Sequence, residues 1–320
     1  MINIIMPAYN AHGTIRQAVA SVAMQDGVED VLLTIVDDCS DEPYDYIVND
    51  FRYIKIEVLR KSTNTGPGQA RQYAIDKCNR EYFMFLDSDD CLYSPIAVQT
   101  LYSCMEYEEL DSLYTTILEE LSDGSFLMHQ NNGVWLHGKM FRTKYIQGNN
   151  IRFGETWLHE DHAFNTISLW SGGRNLFVDC ITYLWKYHAE SLTRSEAYKS
   201  NFLYSTSEFV AAAEYTMSEL MKRNVEAEKI YEIVKKYILS FYRYYNEMLN
   251  NGLPDSQINK FLEYIKRFCG GIPREVSRNL SKGFLVENFY EDNSIKGMIN
   301  SNILFNISFT QYCQLLSIKN

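Results

Sequence analysis

Short apolar runs alternate with helical segments through the first 90 residues of the chain. The runs lie at residues 2–6, 31–36, 53–59 and 82–86. The last of them is too short for a typical helix and rich in aromatic residues, which favours a strand buried on both faces. A strand–helix order repeated in this way predicts a parallel sheet with right-handed crossover connections.

An acidic cluster follows the last of these strands. Asp87, Asp89 and Asp90 fall within four positions, where the strand is predicted to end. Open α/β sheets bind ligands outside the carboxyl ends of their strands. Three carboxylates repel one another there unless a cation joins them, and hard oxygen ligands suit Mg²⁺ or Mn²⁺. The alternative is a solvated acidic turn, because an Asp-x-Asp triplet is common by chance.

Other polar loops are predicted to reach the same edge of the sheet. Tyr9 follows the first strand and Asp38 follows the second, so both should lie near the acidic cluster although they are distant in sequence. The turn at residues 64–68 opens a helix, whose backbone N–H groups would favour an anion. The sequence therefore predicts a site for an anionic ligand and a cation.

Composition and charge narrow the classes of protein. The 320 residues are 46% hydrophobic and 22% charged, as in an ordinary globular protein, and the net charge of −11 argues against a nucleic-acid surface. The seven cysteines show no ordered spacing, which fits a reducing compartment. Residues 1–6 lack the pattern of a signal peptide, and no apolar run is long enough to span a membrane. We expect a soluble cytoplasmic protein, or one peripheral to a membrane.

Several nucleotide-binding motifs are missing. Residues 7–10, Pro-Ala-Tyr-Asn, occupy the place where a dinucleotide fold would carry its glycine-rich fingerprint. The chain also lacks a P-loop, and it lacks the Gly-rich loop that sugar nucleotidyltransferases carry after the first strand.

Six stretches, taken in order, resemble the successive motifs of family 2 glycosyltransferases of the GT-A fold. They are Ile4-Ile5-Met6-Pro7-Ala8-Tyr9-Asn10, Ile35-Val36-Asp37-Asp38-Cys39-Ser40, Asn64-Thr65-Gly66-Pro67-Gly68-Gln69-Ala70-Arg71, Phe85-Leu86-Asp87-Ser88-Asp89-Asp90, Gly138-Lys139-Met140-Phe141-Arg142 and His159-Glu160-Asp161-His162-Ala163-Phe164-Asn165. Each is weak alone, but their order and spacing make the set specific. Two positions depart from the pattern: Cys39 replaces a usual Gly, and His137 lies near a frequent Trp or Asn.

The resemblance implies an α/β fold of the GT-A type, with a Rossmann-like, mostly parallel sheet. It also implies a metal-dependent, inverting transfer of a sugar from a nucleotide sugar, with UDP as the expected nucleotide, to an acceptor hydroxyl in glycan or polysaccharide synthesis. The implied metal ligands for Mn²⁺ or Mg²⁺ are Asp87 and Asp89. The implied nucleotide-sugar contacts are Pro7, Ala8, Tyr9, Asn10, Asp38, Asn64, Gly66, Arg71, Asp87 and Ser88.

In the family, the Asp of a pair such as Glu160-Asp161 is the base that deprotonates the acceptor, so the resemblance makes Asp161 the catalytic residue. Adjacent residues on a helix face different directions, so only one of the pair can point at the sugar. The alternative is an acidic helix start favoured by the helix dipole. The residues expected near the donor sugar or acceptor are Lys139, Glu160, His188 and Arg194.

The resemblance covers about residues 1–195, which we interpret as the catalytic domain. In residues 196–320, apolar residues recur at helical spacing between Gly- and Pro-containing breaks. This pattern predicts a C-terminal helical region, either an appended domain or a wrap around the first. Many of the 24 tyrosines lie there, and covering a core is favoured over stacking on sugars. These helices are candidates for a homo-oligomer contact or for attachment to a membrane surface.

Two alternatives to a glycosyltransferase stay open from the sequence. The first is a sugar nucleotidyltransferase, which the missing Gly-rich loop disfavours. The second is a non-catalytic nucleotide-sugar-binding protein, which the presence of Asp87, Asp89 and Asp161 disfavours.

Overall fold

The structure is a computed structural model, and it describes residues 1–130, 133–189, 202–277, 306 and 308–316. The chain divides into two compact units, Met1–Ser195 and Glu196–Asn320. The first unit is built on one mixed sheet with helices, and the second is helical.

The first four strands form the parallel part of the sheet. They are β1 (Ile2–Ala8), β2 (Val31–Asp37), β3 (Lys55–Arg60) and β4 (Tyr82–Phe85), in the spatial order β3-β2-β1-β4. Between them run α1 (Ile15–Ala23), α2 (Asp45–Asp50) and α3 (Pro67–Lys77). Each adjacent pair of these strands is parallel, which confirms the prediction from the strand–helix alternation.

The first strand is longer than the sequence suggested. We expected Pro7 to end it, but β1 continues to Ala8, and Pro7 pairs in register with Val36 of β2. The carbonyl of Ile5 accepts the N–H of Leu86 on the β4 side, so the nitrogen of Pro7, two residues on, faces that side as well. Since β4 has already ended there, the missing N–H of proline breaks no ladder hydrogen bond.

The remaining strands were not predicted. They are β5 (Cys91–Leu92), β6 (Ser112–Glu120), β7 (Phe126–His129), β8 (Lys139–Arg142) and β9 (Asn175–Trp185). They extend the sheet in the order β4-β8-β6-β9-β5, with β7 beside β6; only the β6–β9 pair among them is parallel. The helices of this part are α4 (Ala97–Tyr107), α5 (Thr143–Gly148) and α6 (Glu160–Trp170).

Stacked phenylalanine rings fix α6 against the end of β4. Phe164 of α6 lies parallel to Phe153, with ring centroids 4.3 Å apart, and meets Phe85 and Phe141 edge-on. All four side chains are buried. Aromatic pairs of this kind add about 0.5–1.5 kcal/mol each beyond their buried area. The start of α6 is therefore held next to the carboxyl end of β4.

The second unit contains α7 (Phe202–Lys222), α8 (Ala227–Asn250), α9 (Asp255–Gly270) and α10 (Phe309–Leu315). Phe209, Phe241 and Phe268 meet edge-on between the three long helices. Tyr237, Tyr242, Tyr245 and Tyr312 are buried, so these tyrosines cover a core, as the sequence favoured. In the described part of the chain, no helix combines the length and the apolar character needed to cross a membrane.

The loop after β2 contains a strained residue. Cys39 has a φ of +69°, in the left-handed region that favours glycine, and this position is the one where the sequence pattern led us to expect Gly. Its thiol donates a weak hydrogen bond to the carbonyl of Ser62 at 3.4 Å. The left-handed conformation costs an L-residue about 1–2 kcal/mol.

We therefore expect Cys39→Gly to raise the free energy of unfolding by roughly 0.5–1 kcal/mol, because the relief of strain exceeds the entropic cost of glycine, about 0.5–1 kcal/mol. The measurement is the urea midpoint at unchanged m-value. The matched control is Cys104→Gly within α4, where the same change should destabilise because glycine is a poor helix former. A lower midpoint for Cys39→Gly would contradict the assignment of strain.

Candidate active site

The loops after β1, β2 and β4 meet at one edge of the sheet. The backbone N–H of Asn10 donates to Ser40 Oγ at 3.0 Å, and the Asn10 side chain exchanges hydrogen bonds with Asp41. These contacts join the first two loops. The ring of Tyr9 is 51% exposed beside them. Pro7 and Ala8 lie buried at the end of β1, and their contact with a nucleotide sugar stays a prediction.

Asp38 braces the turn that precedes α3. Its carboxylate accepts the N–H groups of Gly66 at 2.8 Å and Thr65 at 3.0 Å, and it pairs with Lys61 at 3.1 Å. Asn64 also accepts the N–H of Gly66. Asp38, predicted to contact the nucleotide sugar, is thus almost completely buried, and in this structure it shapes the turn at residues 64–66.

Arg71 of α3 is buried between two carboxylates. One terminal nitrogen donates to Asp87 Oδ1 at 2.6 Å and the other to Glu160 Oε1 at 2.9 Å. The sequence suggested a nucleotide contact or a surface ion pair for this residue. In this structure only 5% of the residue is exposed, and its terminal nitrogens are bonded to Asp87 and Glu160. A contact with the nucleotide stays a prediction.

Asp87 is held from three sides. Besides Arg71, its second oxygen lies 3.3 Å from His137 Nε2, and its backbone N–H donates to the Tyr183 hydroxyl at 3.1 Å. Tyr183 in turn donates to Asp90 at 2.7 Å, and its ring stacks on His137. Burial raises the pKa of Asp87, but Arg71 and His137 outweigh it and hold that pKa below the usual range of a carboxyl.

The side chain of Asp89 is held by fewer contacts than that of Asp87. Its carboxylate is partly exposed, and it accepts no hydrogen bond from another residue in the described part of the chain. His188 Nε2 lies 2.8 Å from the Asp89 carbonyl, so this nitrogen carries the proton and donates. Burial and the charge of Asp87 raise the pKa of Asp89. Ser88 occupies the turn between the two carboxylates.

A metal ion fits this cluster chemically. Within the described residues, ligand atoms of Asp87, Asp90 and His137 lie within 4.8 Å of one another. This group differs from the predicted pair of Asp87 and Asp89, because Asp90 takes the place of Asp89. Asp90, however, already accepts hydrogen bonds from Tyr183 and from the N–H of Lys186 on its two oxygens. The carboxylate of Asp89 accepts no hydrogen bond from another described residue, so its oxygens could bind a cation. A cation between Asp87, Asp89 and Asp90 would relieve the repulsion between their carboxylates.

Glu160 and Asp161, the first two residues of α6, face different surroundings. Glu160 is buried against Arg71, while Asp161 is partly exposed and accepts the N–H of His162 at 2.7 Å. Burial and the charge of Asp161 raise the pKa of Glu160 to about 8, although Arg71 acts in the opposite direction. Burial also raises the pKa of Asp161. Asp161 is therefore the member of the pair that an acceptor could reach.

Lys139, predicted to lie near the donor sugar or acceptor, is bonded to backbone carbonyls in this structure. Its side chain is completely buried on β8, where the ammonium donates to the carbonyls of Trp135 and His137. Burial lowers its pKa to about 7, and the charge of Asp161 opposes this effect. Lys139 thus orders the backbone of the segment that contains His137. Its effect on Asp161 is electrostatic, without a hydrogen bond between the two side chains. Arg194 lies outside the described residues.

The sequence did not assign His137 or Tyr183 a role, although both contact Asp87. His137 directly precedes the Gly138-Lys139 motif, which was a usable signal. Tyr183 comes from β9, and no local pattern connects it with Asp87 across 96 positions.

A mostly parallel sheet with carboxylates after β4 and at the start of α6 defines the class of nucleotide-diphospho-sugar transferases with the GT-A fold. Residues 3–158 match the family model described as Glycosyl transferase family 2, and the chain belongs to that family. The resemblance inferred from the six motifs is therefore confirmed.

Named relatives support the same conclusion. The succinoglycan biosynthesis protein ExoO of Rhizobium meliloti is 23% identical, over 60% of this chain and 62% of ExoO. The poly(ribitol-phosphate) beta-N-acetylglucosaminyltransferase TarS of Staphylococcus aureus is 34% identical, over 28% of this chain and 16% of TarS. This chain thus spans less than two thirds of either protein.

The crystal structure of S. aureus TarS residues 1–349 in complex with UDP-GlcNAc superposes with a TM-score of 0.71 and 18% identity. It covers 96% of this chain and 93% of that one. At this identity the likeness establishes the fold, and it confirms the GT-A architecture with C-terminal helices.

Gly68 lets α3 approach α6 closely. A Cβ at this position would lie 2.6 Å from Glu160 Cγ. We expect Gly68→Ala to destabilise the protein by about 1–3 kcal/mol, because the added methyl must displace Glu160 from Arg71. Thermal or urea unfolding measures this. The control is Gly148→Ala at the end of α5, where an added Cβ would meet nothing within 4 Å. This substitution should leave stability unchanged or raise it. Equal effects of the two changes would contradict the close contact.

Proposed function

We propose that this chain is a metal-dependent, inverting glycosyltransferase that transfers a sugar from a UDP-sugar to an acceptor hydroxyl in the synthesis of a surface polysaccharide or a related polymer. We assign catalysis to residues 1–195 and treat residues 196–320 as an appended helical region. The observation that carries the proposal is the joining of the Asp87–Asp89 loop to the Glu160-Asp161 pair through Arg71. The names of ExoO and TarS support the choice of polymer synthesis and of UDP.

Asp161 is suited to act as the general base. It is the partly exposed member of the pair, and burial raises its pKa toward the working pH, which improves a base that must take a proton from a hydroxyl. In this scheme the acceptor oxygen attacks the anomeric carbon, the bond to the UDP oxygen breaks, and the proton passes to Asp161. A single displacement of this kind inverts the anomeric configuration.

The donor would lie along the edge formed by the loops after β1, β2 and β4. Tyr9 offers an exposed aromatic face, and the turn braced by Asp38 opens α3, whose amino end favours a diphosphate. Asp89 with Asp87 would hold the divalent cation, which neutralises charge on the departing UDP.

The metal assignment predicts that chelation abolishes transfer and that added Mn²⁺ or Mg²⁺ restores it. Asp89→Ala should remove most of the metal-dependent part of UDP affinity while the fold stays intact. Titration of UDP by calorimetry with and without Mn²⁺ separates the two parts. The control is Asp123→Ala in the exposed β6–β7 turn, which should leave UDP affinity unchanged with and without Mn²⁺. Full activity in excess EDTA would remove the metal from the mechanism.

The base assignment predicts that Asp161→Asn lowers turnover by about 10²- to 10⁴-fold, because the amide cannot accept the acceptor's proton. UDP-sugar affinity should hardly change, since the loss lies in the transition state. Glu160→Gln should be milder. The measurement is UDP release with acceptor present, beside donor affinity. Near-normal turnover in Asp161→Asn with a large loss in Glu160→Gln would move the base to Glu160.

UDP release also separates the proposal from its alternatives. A nucleotidyltransferase would release pyrophosphate from a nucleoside triphosphate, and a binding protein would release nothing. A thermal-shift panel of nucleotide sugars, with and without Mn²⁺, identifies the donor because a bound ligand raises the melting temperature by mass action.

A further inference from the structure

The two halves of the proposed chemistry lie on different structural elements. Asp87, on the donor side, follows β4, whereas Asp161, on the acceptor side, is the second residue of α6. A displacement requires the acceptor oxygen and the anomeric carbon to be aligned closely, and an error of about 1 Å can cost about 10²-fold in rate. Some feature of the protein must therefore fix the distance between these elements.

The guanidinium of Arg71 connects them directly. Its two terminal nitrogens bond separately to Asp87 and to Glu160, the residue adjacent to Asp161. The ring of Phe85, the last residue of β4, lies beneath the guanidinium, 5.8 Å from its carbon. One turn earlier on α3, Gly68 packs against the Glu160 side chain. Arg71 is thus clamped between the donor loop and the base helix.

We propose that Arg71 is a positioning residue that holds the catalytic base in register with the donor-binding carboxylates. This inference rests on the proposed function. The buried guanidinium acts through Asp87 and Glu160, and it touches neither substrate. It differs from a phosphate-binding arginine, because a donor contact would require an exposed group.

Arginine suits this role better than lysine. The guanidinium is a planar fork that can bond two carboxylates in fixed directions, whereas an ammonium is a compact charge on a flexible stem. Arg71→Lys keeps the charge and loses the fixed bridge. Arg71→Met keeps much of the side-chain length but loses both the positive charge and the bridge between the two carboxylates.

The experiment measures kcat, donor KM and UDP affinity for Arg71→Met, Arg71→Lys, Glu160→Gln and the double variant Arg71→Met/Glu160→Gln. We expect kcat to fall about 10²-fold in Arg71→Met, with a far smaller change in KM. Arg71→Lys should resemble Arg71→Met, and Glu160→Gln should lose less because its amide oxygen still accepts from Arg71. The double variant should lose no more than Arg71→Met, because both changes break the same link.

The matched control is Arg152→Met. Arg152 also ties the segment before α6 to α3, through two hydrogen bonds to Asp76, but this pair is exposed. Surface ion pairs contribute little, so kcat and KM should stay as in the wild type. If Arg71→Met does not fold, the test compares Glu160→Gln with the double variant. The double variant leaves no unpaired Glu160 charge buried.

Three results would overturn the inference while the wild type still transfers sugar and Asp161→Asn does not. The losses of the two single variants could multiply in the double variant; Arg71→Lys could recover full kcat; or Arg71→Met could raise KM and leave kcat unchanged, as a donor contact would. A wild-type chain that released no UDP from any UDP-sugar would instead overturn the proposed function, and the inference with it.

Discussion

The site depends on one buried cation shared by two carboxylates. Asp87, Asp89, Asp90, Glu160 and Asp161 converge within the first unit. Arg71 is bonded to two of them, and Lys139, the other buried cation nearby, is bonded to backbone carbonyls. Removing one partner of a buried ion pair costs about 3–5 kcal/mol, because the other charge stays buried and unpaired. The start of α6, the end of β4 and the second turn of α3 are therefore held together by Arg71.

Local patterns predicted the parallel half of the sheet and most of the loops at its edge. Apolar runs and helical periodicity act over a few residues, and the right-handed crossover rule then places the loops after β1, β2 and β4 on one side. Tyr9, Asp38 and Asp87 could be brought together in this way from sequence alone. Strand boundaries were less accurate. The continuation of β1 past Pro7 depended on where β4 ends, and β4 ends at Phe85, far along the chain from Pro7.

The rest of the site depends on contacts that no local pattern encodes. The strands β6, β8 and β9 pair mainly antiparallel and across long separations, so their order followed from the tertiary fold. Arg71 was expected to contact the nucleotide sugar, and no local pattern indicated that its side chain would be buried between two carboxylates. Its burial followed from the glycine at position 68, which removes the side chain that would have kept α6 away. The burial of Lys139 also followed from the tertiary fold, because strand β8 lies between β4 and β6 inside the sheet.

Arg71 and Lys139 are the buried Arg and Lys of the described part of the site, and burial affects them differently. Arginine stays charged under desolvation, and its fork can satisfy two carboxylates at once. Lysine loses its proton more readily when buried, and burial lowers the pKa of Lys139 to about 7. Among the described residues, Arg71 is the buried cation bonded to these carboxylates, and burial raises the pKa of Asp89, Asp90, Glu160 and Asp161. Such carboxylates lower the free energy of unfolding as the pH rises from their usual pKa to the raised pKa, because the unfolded chain ionises before the folded one. A divalent cation bound between these carboxylates would offset that effect, so the acidic residues that oppose folding at high pH are also the ones suited to hold the proposed metal ion.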